Sequence, residues 1–303
     1  MRLAFNTMDV FTDRRFGGNP LGVVHDAEGL TDAQMQNIAR EFNLSETVFL
    51  LPPVNPAHSA RVRIFTPAKE LPFAGHPTVG TAALLAEMKF AGTTGNGEAL
   101  IVLEQGIGPI RVGVRLRPGL ATFAELDAPR APIEAGALPP VDILAAGLGL
   151  IPSEIGFENH RPVCYAAGNA FAFIPVSTRE AIGRARVNAP HWAPAFQEQG
   201  IVGAYLYTRQ CEHKSSSFHA RMFAPDAGVT EDPATGSAAV CFAGVIDRFD
   251  DLPDGTHRRT IEQGFEMGRP SFISLVLHVD GQKLEGVRIG GHVVRVSEGM
   301  IEI

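Results

Sequence analysis

Two short stretches of this sequence occur twice in the same order, and they decide the fold. The first copy reads R-I-F-T-P over Arg63–Pro67 and H-P-T-V-G-T-A-A over His76–Ala83. The second copy reads R-M-F-A-P over Arg221–Pro225 and D-P-A-T-G-S-A-A over Asp232–Ala239. The copies lie 158 residues apart for the first string and 156 for the second. Two strings repeated at nearly the same spacing predict two lobes of equivalent structure.

Each copy predicts a strand that ends at proline, then a loop, then a helix that begins with small residues. The two helices continue as apolar runs over residues 82–86 and 238–243. A helix without a polar face must be enclosed on all sides. Because strand patterns surround both helices, we expect an α+β fold with two pseudo-repeated lobes. Each lobe is expected to be a barrel-like, mostly antiparallel sheet around a central helix.

Local patterns predict several elements around this repeat. Thr31 and Gln34 form a capping-box pattern at the start of a helix. A Gly106–Pro109 turn between two apolar stretches predicts a β-hairpin. The expected C-terminal strands cover residues 272–279, 284–289, 293–296 and 300–303. The Pro- and Ala-rich region 129–200 predicts short helices.

Composition and charge narrow the classes of function. The 303 residues carry a net charge of −7, and the 26 Lys and Arg form no basic block, so no nucleic-acid partner is expected. No apolar run approaches the length of a membrane span, and the N-terminus lacks the apolar segment of a secretory signal. Three cysteines, widely spaced, fit a reducing compartment. We therefore expect a cytoplasmic protein with no membrane partner.

The predicted helix N-termini are candidate anion sites, because their amide groups are unpaired and carry partial positive charge. Small residues, Gly236 and Ser237 in the second copy, allow a ligand to approach the backbone. His76 and Asp232 occupy equivalent positions before a proline. Histidine can exchange a proton near neutral pH. Asp232 is equally explained as a helix cap.

Glu46 lies between a predicted helix and the apolar strand that follows it. A carboxylate against apolar walls has a raised pKa and suits acid–base catalysis near neutrality. On sequence alone, a lone glutamate at such a position is usually an exposed residue at a strand end. Spacing alone does not select it over Glu41 or Glu70.

Five strings in order make the chain resemble the PhzF family. They are F-G-G-N-P-L-G-V-V, N-L-S-E-T-V-F-L, R-I-F-T-P, P-F-A-G-H-P-T-V-G-T-A and E-D-P-A-T-G-S-A-A. The terminal V-x-I-G-G-H-V-V-R-V-S-E-G-x-I fits as well, so the resemblance covers essentially the whole chain. It implies the diaminopimelate epimerase-like fold, with an N-terminal lobe over 1–118, completed by about 285–303, and a C-terminal lobe over 119–284. The resemblance also implies an active site between the lobes.

The same resemblance implies a function and a set of site residues. The family's best-known member is an isomerase that shifts a proton without metal or organic cofactor, and the family commonly forms homodimers. The implied catalytic residues are Glu46, His76 and Asp232. The implied substrate-binding residues are Asn19, Gly75, Gly236 and Ser237. We therefore expect a small anionic substrate, no cofactor and a homodimer.

Two other functions remain open at this stage. The same fold also hosts racemases and epimerases of amino or hydroxy acids, which use a cysteine at each helix N-terminus. Cys164, Cys211 and Cys241 lie at neither position. Two-thiol chemistry is therefore disfavoured. The third function is a catalytically silent protein that binds a small molecule.

Overall fold

The first copy of the repeated strings lies in one structural unit and the second copy lies in another. The computed structural model describes residues 1–91 and 95–303. Unit 1 comprises Met1–Asp127 with Gly290–Ile303, and unit 2 comprises Ala128–Ile289. No helix among the described residues is long and apolar enough to cross a membrane.

The strands and helices follow one another along the chain as two similar series. The first series is β1 (Arg2–Val10), β2 (Asn19–Val24), α1 (Asp32–Phe42), β3 (Glu46–Leu51), β4 (Ala60–Phe65), β5 (Glu70–Leu71), α2 (Gly75–Lys89), β6 (Gly97–Gln105), β7 (Gly108–Leu116) and β8 (Thr122–Asp127). The second is β9 (Ile133–Glu134), α3 (Val141–Leu148), β10 (Val163–Ala166), β11 (Ala170–Pro175), α4 (Arg179–Arg184), α5 (Ala189–Ala195), β12 (Gly203–Thr208), β13 (Phe218–Ala224), β14 (Val229–Asp232), α6 (Gly236–Phe249), β15 (Gly255–Gln263), β16 (Ser271–Asp280) and β17 (Lys283–Glu302).

The sheet of unit 1 closes into a ring around α2. Strands β1, β2, β3, β4, β6, β7 and β8 pair in that order, and the C-terminal part of β17 pairs with both β8 and β1. The β2–β3 and β4–β6 pairs are parallel, and the pairs β1–β2, β3–β4, β6–β7, β7–β8 and β1–β17 are antiparallel. Eleven of the fifteen residues of α2 are buried. The predicted barrel-like sheet around a central helix is confirmed.

Unit 2 repeats this order of pairing around α6. The β10–β11 pair is antiparallel, β11–β12 parallel, β12–β13 antiparallel, β13–β15 parallel and β15–β16 antiparallel. This is the sequence of directions that runs from β1 to β7 in unit 1. Eleven of the fourteen residues of α6 are buried. The repeat that is visible as two short strings therefore extends over the strand pairings from β1 to β7 and from β10 to β16.

Several local predictions are confirmed and one is wrong. Thr31 caps α1 and forms the reciprocal capping box with Gln34. The hairpin around residues 106–109 is the β6–β7 pair. Three of the expected C-terminal strands are instead one continuous strand, β17. The region 129–200 contains β10 and β11 in addition to its short helices.

The Gly290–Gly291 pair in β17 marks a close approach of two strands and not a turn. A Cβ atom at Gly290 would lie 2.6 Å from the carbonyl oxygen of Ala124 and 2.6 Å from the Cβ atom of Glu125. Glycine is used inside a strand where another backbone passes this closely. This packing explains why a glycine pair does not end β17.

We expect Gly290→Ala to destabilise unit 1, because the added methyl group meets backbone atoms that cannot move aside. The expected loss in the free energy of unfolding is about 2 kcal/mol, measured by urea denaturation. Gly286→Ala is the matched control in the same strand, since its Cβ atom would lie 3.6 Å from the ring of His278, an ordinary contact. Equal stability of the two variants would contradict this account of the glycine pair.

Candidate functional site

Glu46 and His76 are brought together inside unit 1. Glu46 is the first residue of β3, and His76 lies in the first turn of α2. The distance between Glu46 Oε2 and His76 Nε2 is 3.4 Å. The Glu46 side chain is 17% exposed and the His76 side chain 5% exposed. Glu46 thus lies beside a buried histidine, whereas Glu41 and Glu70, which sequence spacing left equivalent, are exposed.

The imidazole of His76 is neutral, although its distance from Glu46 is that of an ion pair. Burial lowers the pKa of His76 to about 3, and this effect outweighs the hydrogen bond to the Pro20 carbonyl, which raises the pKa. Nε2 forms no hydrogen bond with a described residue, so the bond to Pro20 comes from Nδ1. A proton on Nδ1 leaves the lone pair of Nε2 directed toward Glu46.

This arrangement stabilises the protonated form of Glu46 after the carboxylate has taken up a proton. A lone pair on Nε2 and an ionised carboxylate oxygen are both acceptors, and they cannot form a hydrogen bond with each other. A protonated Glu46 carboxyl can donate to Nε2. A neutral histidine also does not lower the basicity of Glu46, as a cationic histidine would. The pair can therefore take up a proton and hold it.

Two further predicted residues of unit 1 lie close to this pair along the chain. Asn19 is the buried first residue of β2 and directly precedes Pro20. The Pro20 carbonyl accepts the hydrogen bond from His76. Gly75 is the buried first residue of α2 and precedes His76. The N-cap residue, Ala74, provides no side-chain hydrogen bond to the helix. The first turn of α2 therefore presents backbone amides that its own cap does not satisfy.

Asp232 occupies a different local position from His76, so the expected equivalence of these two residues is approximate. Asp232 ends β14, and α6 begins four residues later at Gly236 with Thr235 as its N-cap. The Asp232 carboxylate accepts a hydrogen bond of 2.6 Å from the Thr235 hydroxyl. Asp232 thus orients the start of α6 through Thr235 and is not itself the cap. Pro233 lies before the helix and not in its first turn.

Gly236 and Ser237 form the first turn of α6. Gly236 is buried and Ser237 is partly exposed. No side-chain hydrogen bond from the N-cap residue satisfies this turn. Both residues therefore lie where a ligand anion could meet helix amides and a hydroxyl group.

A second repeated motif, E-Q-G, supports both helix starts, and it was missed in the sequence. It occupies residues 104–106 and 262–264, which are 158 residues apart, the spacing of the first repeated string. Gln105 donates to the Thr78 hydroxyl at 2.8 Å. Gln263 donates to the Asp232 carbonyl at 2.7 Å and to the Thr235 hydroxyl at 3.1 Å. The glutamines therefore position the first turns of α2 and α6.

Cys164 and Cys241 are buried, Cys211 is partly buried, and the surroundings of all three hold the thiols in the protonated form. Burial raises the pKa of Cys164 to about 11 and the pKa of Cys211 and Cys241 to about 12. A thiol must ionise to act as a base. These cysteines are therefore poor candidates for proton transfer. Among the described residues, no three His, Cys, Asp or Glu side chains are grouped as metal ligands.

Comparisons with known proteins cover nearly the whole chain. The family model described as phenazine biosynthesis-like protein, PhzC-PhzF, matches residues 8–299. An uncharacterized isomerase of Mesorhizobium japonicum is 51% identical, over 97% of both chains. The trans-2,3-dihydro-3-hydroxyanthranilate isomerase of Pseudomonas aeruginosa is 33% identical, over 96% of both chains. A crystal structure of a PhzF family protein from Bacillus anthracis is 26% identical, covers 100% of both chains and has a TM-score of 0.89.

Proposed function

This chain belongs to the PhzC-PhzF family of phenazine biosynthesis-like proteins and is an isomerase, and we propose that it shifts a proton on a small, carboxylate-bearing substrate without a cofactor. The observation that carries the proposal is the buried contact of Glu46 with a neutral His76. The isomerases among its relatives support the same class of reaction.

In the first step, the Glu46 carboxylate removes a proton from an activated carbon of the substrate. The C–H bond breaks, an O–H bond forms on Glu46, and the electron pair enters the conjugated system of the substrate. His76 Nε2 then accepts a hydrogen bond from the protonated Glu46. In the second step, Glu46 returns the proton to another carbon of the same system, and its carboxylate is restored. General acid–base catalysis of this kind contributes about 10²–10⁴-fold to a rate.

A comparison of the two units supports a single carboxylate base. Phe65 pairs with Thr47 in β3–β4, and Phe223, its equivalent in the repeat, pairs with Ala204 in β12–β13. Thr47 is therefore equivalent to Ala204, and Glu46, which precedes Thr47, is equivalent to Gly203. A Cβ atom at Gly203 would lie 2.7 Å from the backbone carbonyl oxygen of Phe223, so unit 2 has no room for a side chain there. One base favours proton removal and return over inversion by two bases.

The remaining residues are proposed to bind and orient the substrate. Asn19 and Gly75 would contribute donors beside the Glu46–His76 pair. Gly236 and Ser237 would contribute helix amides and a hydroxyl group for a carboxylate. Asp232 would hold a donor group of the substrate or the charge that develops on it.

Isotope exchange tests the proposal. The protein is incubated in deuterium oxide with trans-2,3-dihydro-3-hydroxyanthranilate and, separately, with a series of amino- and hydroxy-substituted carboxylates, and the products are analysed by NMR. We expect an isomer with deuterium at the carbon that receives the proton, or with the transferred hydrogen retained there. Inversion of a stereocentre with deuterium uptake would favour the racemase alternative. Tight binding of these compounds with no exchange and no isomer would reject proton transfer.

A further inference from the structure

The E-Q-G motif of unit 1 binds two different parts of the chain from the two faces of the sheet. Glu104 and Gln105 are the last two residues of β6. Because side chains alternate along a strand, they project to opposite faces. The Glu104 carboxylate accepts hydrogen bonds of 2.8 Å from the backbone amides of Val54 and Asn55, in the loop between β3 and β4. Gln105 donates instead to the Thr78 hydroxyl at the start of α2.

The hydrogen bond from Gln105 reaches the turn of α2 that contains His76. Thr78 donates its hydroxyl proton to the Ala74 carbonyl at 2.6 Å, and its backbone amide donates to the same oxygen at 3.3 Å. Ala74 and Thr78 therefore close one helical turn, and His76 lies at the centre of it. A hydroxyl has one hydrogen to donate, so accepting from Gln105 leaves that hydrogen directed to Ala74. Gln105 thus ties the turn that carries His76 to the end of β6.

His76 depends on this turn for its position, because its two ring nitrogens face different partners. Nδ1 donates to the Pro20 carbonyl, and Nε2 lies 3.4 Å from the Glu46 carboxylate. The N-cap residue, Ala74, gives the helix no side-chain hydrogen bond that would fix the turn. A misplacement of about 1 Å at a reacting group lowers a rate by about 10²-fold. The hydrogen bond from Gln105 therefore lies where it controls the contact between Glu46 and His76.

The other end of the Gln105 amide indicates that folding alone does not explain a glutamine here. Its Oε1 atom is buried and forms no hydrogen bond with a described residue. A buried acceptor without a partner costs at least as much free energy as one hydrogen bond between neutral groups contributes. A leucine would fill similar space without this cost. Gln105 therefore brings little net stability, and its contact with Thr78 needs another explanation.

The equivalent glutamine of unit 2 shows what full satisfaction looks like. Gln263 is completely buried, and its Oε1 atom accepts a hydrogen bond of 3.2 Å from the Thr235 amide. Its nitrogen donates to the Asp232 carbonyl and to the Thr235 hydroxyl. Glu262, which precedes it, also accepts hydrogen bonds from two consecutive backbone amides. The two copies of the motif thus share the glutamate support, and they differ in that Gln105 keeps an unsatisfied oxygen.

We propose that Gln105 is a positioning residue for proton transfer. Through Thr78, it holds the first turn of α2 so that His76 stays within reach of the protonated Glu46. Glu104 fixes the end of β6 from the opposite face, so the glutamine has a firm support. This inference rests on the proposed function and adds to it a residue that touches neither the substrate nor the reacting proton.

Four variants separate this positioning role from a contribution to folding. Gln105→Leu removes the donor, and Thr78→Val removes the acceptor with little change in shape. Thr78→Ser keeps the hydroxyl group and is the conservative variant that should retain the wild-type behaviour. Gln36→Leu is the matched control, because Gln36 is a partly buried glutamine of α1 that donates to the carbonyls of Thr66 and Pro67.

Two readouts are measured on the full chain. For the compound that isotope exchange identifies as a substrate, the rate of isomer formation gives kcat and KM. We expect kcat to fall by about 10- to 100-fold in Gln105→Leu and Thr78→Val, with KM within about twofold, because the weakened contact forms only as the proton moves. The ¹⁵N resonances of the His76 imidazole, assigned with His76→Gln, report its position and tautomer without a substrate. They should shift in the same two variants.

Thr78→Ser and Gln36→Leu are expected to keep both the wild-type kcat and the wild-type His76 resonances. The proposal is overturned if Gln105→Leu keeps either its kcat or its His76 resonances, or if Gln36→Leu changes them as much. A wild-type protein that forms no isomer from any compound would reject the proposed function. In that case the His76 resonances of the same variants still decide whether Gln105 positions the histidine, so the two failures are distinguishable.

Discussion

Glu46→Gln is expected to lower the rate of proton transfer by about 10³-fold while substrate binding stays near that of the wild type. Glutamine has nearly the shape of glutamate but cannot take up a proton, so the loss falls within the range for a general base. Because His76 is neutral, the substitution removes no ion pair with His76, and the glutamine amide can donate a hydrogen bond to Nε2 of His76. The melting temperature should therefore remain within a few degrees of that of the wild type.

Glu41→Gln is the matched control for this experiment. Glu41 is exposed in α1 and is one of the two glutamates that the sequence pattern could not separate from Glu46. We expect it to leave the rate unchanged. The rates are measured by NMR as isomer formed and deuterium incorporated. A Glu46→Gln variant with a rate near that of the wild type would remove Glu46 from the mechanism.

Acid is expected to destabilise unit 1 through His76. Burial lowers the pKa of this histidine to about 3 in the folded protein, against an ordinary value near 6.5. Between these values the unfolded chain binds a proton that the folded chain does not, so stability falls as the pH drops below about 6.5. Linkage gives a loss of about 2 kcal/mol between pH 8 and pH 5 from this one group.

Urea denaturation of the wild type and His76→Gln at pH 8 and pH 5 isolates this effect. Between pH 8 and pH 5, the free energy of unfolding of His76→Gln should fall by about 2 kcal/mol less than that of the wild type. This difference does not depend on the stability of the variant at pH 8. Contributions from other groups cancel in the comparison. That includes His219, whose pKa is raised by Glu262 and Glu266 in spite of its burial. His191→Gln, at an exposed position, should keep the wild-type difference. If His76→Gln and His191→Gln lose the same free energy of unfolding between pH 8 and pH 5, His76 is not a buried neutral histidine.

The architecture of both units could be predicted from the sequence because the two copies of the structural repeat still share similar amino-acid strings. The strings at Arg63–Pro67 and Arg221–Pro225 lie on β4 and β13, and the apolar runs that follow form the enclosed helices α2 and α6. The length of β17 could not be predicted. Glycine pairs usually indicate turns, and the strand that passes close to Gly290 is far away in the sequence.

The site was only partly predictable, for reasons that concern tertiary contacts. Nothing near Glu46 in the sequence shows that it lies 3.4 Å from a histidine thirty residues away. The neutrality of His76 depends on burial by the whole ring of strands. The glutamines at 105 and 263 could have been found, because the E-Q-G motif repeats at the spacing of the first string. The family resemblance named Glu46, and the geometry gives it a partner.

A double-mutant cycle on Glu46 and His76 tests most directly whether the two side chains act as one proton-holding pair. The rate of isomer formation is measured by NMR for the wild type, Glu46→Gln, His76→Gln and the double variant under identical conditions. If His76 acts by accepting a hydrogen bond from the protonated Glu46 carboxyl, the double variant should react no more slowly than Glu46→Gln alone. Independent, multiplicative losses would contradict the pair.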